Sequence, residues 1–237
     1  MNPQPKVVLM LEGQSEVEFI SRLFPLLFGF EYGTGSIELV NLRGIGNATG
    51  NSREDRYNAI FRLVDYLQDH QVVVFVVLDN EGGASRLKDS SKTKKSLSGL
   101  RRRVIAPERV KVWKKTFEFD NFSDSDLARA LTLACNEQYA FSRAEMRDVR
   151  DNWREKDIAK LFAARTGGNL NKVQLARILA ELAVSPTARK QPLNRPFVKL
   201  LGRAVDAGLM NALPVTERGR RLNQRALDRP YLRTTGG

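Results

Sequence analysis

Cysteine and histidine are almost absent from this sequence, and long apolar runs are missing altogether. With Cys135 as the sole cysteine, no internal disulfide and no cysteine-built metal cluster can form. Its place in the helical pattern "LARALTLACNEQ" suits a small buried residue. His70 is the sole histidine, which leaves no histidine partner for a zinc site or a Ser-His-Asp arrangement. It falls at a predicted helix end before a strand, where a capping or surface role is expected. The longest apolar stretch, "VVVFVVL" at 72–78, is far short of the roughly 20 residues a membrane helix needs. The opening "MNPQPK" lacks the apolar core of a secretory signal, so a cytoplasmic protein with no membrane partner is expected.

Acidic charge is scarce beside basic charge. The 27 Asp and Glu stand against 39 Lys and Arg, a formal net charge of +12 and a sequence pI near 10.1. The excess is uneven. Residues 86–115 sum to +10 and residues 186–237 to +8, so the remainder is net −6. Blocks such as "SKTKKSLSGLRRR" and "ERGRRLNQRALDR" are dense enough to favour a nucleic-acid backbone as partner, with an acidic protein surface as the other choice. Lys92, Lys94, Lys95, Arg101, Arg102, Arg103, Lys114 and Lys115 are the candidate phosphate contacts. At 237 residues and 42% hydrophobic, the chain can bury one sizeable core with a smaller appended lobe.

The first half alternates strand and helix patterns. "VVLML" (7–11) reads as a buried strand, and "QSEVEFISRLFPLLF" follows with apolar residues at helical spacing. Pro25 is expected to kink or fray the end of that helix. "SIELVNL" (36–42) is a second strand, followed by the glycine-rich "RGIGNATGNSRED" and an amphipathic "RYNAIFRLVDYLQDH". "VVVFVVLD" has the β-branched, two-faced apolar character of a central parallel strand. A basic, partly helical stretch then leads to a fourth strand candidate, "RVKVWKKTFEF" (109–119). The order predicts an α/β fold, a mainly parallel sheet flanked by helices, over residues 1–122. From 123 to 237 only helical patterns follow, several opening on Ser, Asp or Asn caps. This helical extension closes in a basic C-terminal tail.

Carboxylates fall at the strand ends, where open parallel sheets bind ligands. Glu12 follows the first strand, Glu16 stands one helical turn further on, Asp79 and Glu81 follow the third strand, and Glu118 ends the fourth. Unpaired, these five would repel one another. Hard divalent cations such as Mg²⁺ or Mn²⁺ take oxygen ligands of this kind, and two of them can clamp a phosphodiester. Taken singly, each stretch is also ordinary turn and helix-start chemistry. "GIGNATGN" lacks the Gly-Lys-Ser/Thr ending and the dinucleotide spacing, so it carries no nucleotide-binding fingerprint.

"LEGQSEVEF" resembles the glutamate motif of the TOPRIM domain, and "VVLDNEGGA" its Asp-x-Asp motif followed by glycine. The pattern is most similar to the TOPRIM of the OLD (overcoming lysogenization defect) family of nucleases. The second acid at Glu16, the loop "NLRGIGN", the glutamate in "TFEFDNFSDSDL" and the lysine opening "NKVQLARILAEL" all have counterparts there. The resemblance spans roughly residues 6–183. It implies Glu12 as metal ligand and general base, Glu16 and Glu118 on a second metal, Asp79 and Glu81 opposite, and Lys172 as stabiliser of transition-state charge. Glu81 departs from the motif by one methylene, and Lys156 and Lys160 compete with Lys172. A metal-dependent endonuclease using two Mg²⁺ or Mn²⁺ ions is therefore expected, with DNA favoured over RNA. The alternatives are a ribonuclease for structured RNA and a non-catalytic nucleic-acid-binding subunit. The resemblance further implies a role in phage defence and, since this chain carries no ATPase fingerprint, either an ATPase partner supplied in trans or none needed.

Overall fold

A computed structural model of the chain describes residues 6–29, 37–42, 53–80, 94–95, 101–102, 105, 107–185 and 194–212. In chain order the first elements are β1 (Val7–Leu11), α1 (Gln14–Phe28), β2 (Ile37–Asn41), α2 (Arg53–Asp69) and β3 (Val73–Leu78). Next come β4 (Lys94–Lys95), β5 (Arg101–Arg102), a 3-10 turn (Pro107–Arg109), β6 (Val110–Val112) and α3 (Phe117–Asn121). The remaining elements among the described residues are helices: α4 (Asp124–Ala134), α5 (Arg143–Asp151), α6 (Ile158–Thr166), α7 (Lys172–Val184) and α8 (Pro196–Ala212).

Four strands form one sheet in the order β2-β1-β3-β6, every neighbouring pair parallel. β1 lies at its centre, with Leu9 level with Leu39 on one side and Phe75 on the other. All five residues of β1 are buried, as the unbroken apolar run requires of a strand covered on both faces. Side chains alternate between two packed layers. Val7, Leu9, Leu11, Phe75 and Val77 join the cluster built with α1, α3, α4, α7 and α8. Val8, Met10, Val74, Val76 and Leu78 face Ile60 and Val64 of α2 instead. The larger cluster runs without a break from the sheet into α7 and α8, so sheet and C-terminal helices share one core.

Helix ends follow the capping residues. Ser123 and Ser142 each form a reciprocal capping box, with Asp126 and Glu145, at the starts of α4 and α5. Asp157 and Asn171 cap α6 and α7. α1 carries Pro25 in its last turn, where a missing N–H weakens only the end of the helix. It stops at Gly29, whose φ of +73° is the left-handed conformation glycine adopts without strain. α8 is fixed through Arg195, which is 1% exposed. Its Nη1 donates to the Asn121 carbonyl (2.6 Å), its Nη2 stands 3.6 Å from Asp126, and its guanidinium lies over the Phe122 ring.

One local expectation is corrected. The strand pattern over 109–119 is realised only as β6, and the chain turns at Lys114 and Lys115 into α3. Asp120 accepts from the Lys114 N–H (2.6 Å) and Thr116 Oγ1 from the Phe119 N–H (3.4 Å), so local side chains satisfy the backbone as a helix start. Of the basic stretch, the described residues form the antiparallel ribbon β4–β5 and the 3-10 turn, and the rest of the expected partly helical segment lies outside the described residues. Cys135 is half-buried at the C-cap of α4, its thiol directed to the carbonyls of Thr132 and Tyr139. His70 is exposed at the end of α2, with Nδ1 2.7 Å from the Tyr66 carbonyl.

Candidate active site

At the carboxyl edge of the sheet, Glu12 and Asp79 leave the neighbouring strands β1 and β3. The Asp79 N–H donates to Glu12 Oε2 at 2.6 Å, and the Phe117 N–H donates to Asp79 Oδ1 at 2.9 Å. Asn80 closes the same turn, its side-chain amide donating to the Lys114 carbonyl at 2.8 Å. The acidic loop after β3 is thus stitched to β1 on one side and to the start of α3 on the other. Glu16 lies in the first turn of α1 and is 8% exposed. Glu118 occupies the first turn of α3, a helix start rather than the strand end that the sequence pattern predicts.

Asp79 lies within electrostatic reach of the other three carboxylates. Burial pushes the Asp79 carboxyl up from 3.8 to about 8, with further upward push from Glu118, Glu16 and Glu12 and a smaller opposing effect of the Phe117 N–H. All donors are carboxylate oxygens, the chemistry hard divalent cations take, and a cation would relieve the mutual repulsion. Among the described residues no three acidic, histidine or cysteine side chains close around one point tightly enough to ligate an ion. Glu81, the fifth acid of the expected set, lies outside the described residues.

Aromatic packing stiffens the floor beneath the acids. Phe117 stands edge-on to Phe19, Phe122 and Phe197 at centroid separations of 4.9, 6.2 and 5.3 Å, and Trp113 is buried alongside. Glu118 rides on this cluster between Phe117 and Phe119. The backbone that aims it is therefore not free to drift.

Lys172 reaches the same region through α7. Arg177 pairs with Glu18 (2.6 Å) and Arg22 with Glu181 (2.7 Å), so both rungs advance by four residues in the same direction. α1 and α7 therefore run parallel, and the start of α7 is level with the first turn of α1, where Glu16 stands. A cleft of about 600 Å³ opens there, lined by Ser15, Asp79, Lys115, Glu118, Lys156 and Lys172 among others. Lys156 is ion-paired with Asp148, whereas Lys172 is exposed and has no acidic partner among the described residues. Lys160 does not line the cleft.

Of the predicted phosphate contacts, Lys115 borders the cleft and donates to the Arg150 carbonyl (2.7 Å), while Lys114 is exposed nearby. Lys94 and Lys95 lie opposite Arg102 and Arg101 on the β4–β5 ribbon. Lys92 and Arg103 lie outside the described residues, as do the glycine-rich loop at 43–52 and the tail from 213. Sequence reading missed Trp153 and Arg154, which line the cleft from the turn after α5. An aromatic beside an arginine at the end of a helical pattern is the signal they offered.

No family model matches the chain, and no curated protein matches it. Solved structures do. The C-terminal region of the Xanthomonas campestris pv. campestris OLD protein phased with platinum is 14% identical with a TM-score of 0.50, over 86% of this chain and 94% of that one. The same region phased with mercury gives 14% and 0.50, over 93% and 98%. The chain has the TOPRIM-like α/β fold of that OLD region, helical extension included. At such low identity the likeness concerns the path of the backbone, and the chemistry rests on the side chains described above. Among the described residues no helix is long and apolar enough to cross a membrane.

Proposed function

We propose that the chain is a metal-dependent endonuclease that hydrolyses nucleic-acid phosphodiester bonds, with DNA favoured over RNA. The observation that carries this reading is the meeting of Glu12, Glu16, Asp79 and Glu118 at the carboxyl edge of a parallel sheet, beside a cleft rimmed with lysines. The OLD-type backbone supports it by analogy.

Glu12, Glu16, Asp79, Glu81 and Glu118 would hold two Mg²⁺ or Mn²⁺ ions. When bound, such ions supply Lewis acidity and an activated water for in-line attack on phosphorus. The chain's own residues then have separable tasks. Glu12, already accepting a hydrogen bond from the Asp79 backbone, is fixed in direction and serves as general base. Asp79 is oriented from the other side by the Phe117 N–H. Lys172 places its ammonium against charge that builds on the phosphate in the transition state, a role open to it because no described carboxylate neutralises it. Lys115, Lys114 and the β4–β5 ribbon hold the backbone of the polymer. The phage-defence role and an ATPase acting in trans belong to the same proposal, as does a cytoplasmic location.

A second reading is favoured by the spacing of the acids, since no three described side chains close on one point as they stand. In that reading the chain is a non-catalytic nucleic-acid-binding subunit. Incubating wild type and Asp79→Ala with supercoiled plasmid, linear duplex, single strands and transfer RNA in Mg²⁺ or Mn²⁺ separates the two. The endonuclease reading expects cleavage by wild type alone, and the polymer cut decides between DNA and structured RNA. Binding by both proteins with cleavage by neither points either to the subunit or to an endonuclease that waits for its partner.

A further inference from the structure

The cleft beside the acids is not built like a phosphate channel alone. Part of its lining is apolar, contributed by Ile158, Leu170, Leu175 and Leu179 together with the indole of Trp153. Trp153 is half-buried and packs on the core along one side, so its ring is held in place while it still borders the cleft. The exposed Arg154 guanidinium lies over the ring, 5.4 Å from its centre, where a stacked base would take its place, and Lys156 and Lys172 share the rim. A held aromatic, a basic rim and a partly apolar lining in about 600 Å³ match a flat, uncharged ring tethered to an anion.

We propose that this cleft takes an unpaired nucleobase, stacked on Trp153, from the nucleotide next to the phosphate that Asp79 and Glu118 approach. Paired bases inside a duplex cannot reach such a lining without leaving the stack, so the favoured substrate class is single-stranded nucleic acid or a flipped nucleotide. Charge complementarity orients the ligand: its phosphate faces the lysines and the cations that the acids would hold, and its base faces the leucines. The proposal rests on the endonuclease reading for the phosphate's position, but the stacking itself can be read without any cleavage.

Tryptophan emission gives the test, because the chain has two tryptophans and Trp113 is 1% exposed. The full chain is titrated in Ca²⁺ with a short oligothymidylate, with a strand of equal length and charge made of abasic sites, and with a blunt hairpin duplex. Each recovered oligonucleotide is checked for integrity. Expected are quenching by the base-bearing strand but not by the abasic one, and a loss of single-strand affinity of roughly 10-fold or more in Trp153→Leu. Trp153→Phe keeps most of that affinity. The proposal is overturned if the abasic strand quenches wild type as strongly as the base-bearing one, or if Trp153→Leu binds all three as wild type does. Should the leucine variant fail to fold, as melting and Trp113 emission report, the abasic comparison on wild type and the phenylalanine variant still decide. The two readings fail separately. A chain that cleaves nothing yet discriminates bases through Trp153 loses its catalytic assignment and keeps the base site. A chain that cleaves duplex and is indifferent to Trp153→Leu does the reverse.

Discussion

Asp79 shows how a single side chain can be held in an unfavourable state that a ligand would relieve. In the unfolded chain its carboxyl loses its proton near the ordinary 3.8, whereas burial and the acids around it keep the folded form protonated up to about 8. Between those pH values the folded state binds the extra proton. Metal-free stability therefore falls as pH rises through this window, by something on the order of a few kcal/mol, and the loss is complete above about 8. A divalent cation reverses the sign by favouring the ionised form. The melting temperature is thus expected to rise little with Mg²⁺ at pH 5 and markedly at pH 8, as calorimetry would record. Asp79→Asn keeps an acceptor for the Phe117 N–H but cannot ionise. It should melt higher than metal-free wild type at pH 8, respond weakly to Mg²⁺, and cleave nothing. A pH-independent effect of Mg²⁺ would mean that the cation binds elsewhere.

At the scale of elements, two couplings differ in kind. Arg22–Glu181 and Arg177–Glu18 link α1 to α7 on the surface, with both arginines more than half exposed, so alanine at either should cost no more than about 1 kcal/mol in urea unfolding. Arg195, which ties α8 to α3 and α4, is buried, and its charge faces Asp126, itself part of the α4 capping box. Arg195→Ala leaves that acid without its cation and should cost roughly 3 to 5 kcal/mol, with Arg195→Met milder because a long apolar chain refills the space. Lys172→Ala sits at the start of α7 and should leave unfolding unchanged while lowering kcat about 100-fold, whereas Lys156→Ala should lower it far less. β1 and β3 were legible in the sequence because both faces of a central strand are apolar, and the capped helices from α4 onward because Ser123, Ser142, Asp157 and Asn171 mark their starts. α3 was not, since Phe117 and Phe119 alternate as a strand does and only the bonds from Thr116 and Asp120 turn the chain. The acids at Glu12 and Asp79 could be placed from strand ends alone. Trp153 could not, because its nearness to them depends on how the turn after α5 folds against α7.

Across the whole molecule, the acids gather at the sheet edge while the surplus of cations lies in residues 86–115 and 186–237. A polyanion is attracted to the basic parts and, without metal, repelled by the acidic one, so divalent cations should strengthen nucleic-acid binding as well as enable its cleavage. Monovalent salt acts in the opposite sense by competing for the phosphates. The slope of log affinity against log salt counts the contacts, at about 0.7 per phosphate for single strands and 0.9 for duplex. Replacing Lys94, Lys95, Arg101 and Arg102 of the ribbon with glutamine should flatten the single-strand slope by up to roughly 3 and leave the melting temperature unchanged, since the four belong to a ribbon outside the main sheet. Trp153→Leu should do something different, lowering affinity with the slope preserved, because stacking releases no counterions. If the ribbon variant keeps the wild-type slope, its cations do not touch the polymer and the contacts must come from Lys114, Lys115 and the basic segment beyond 186. If Trp153→Leu flattens the slope, the turn after α5 acts through charge rather than through its ring.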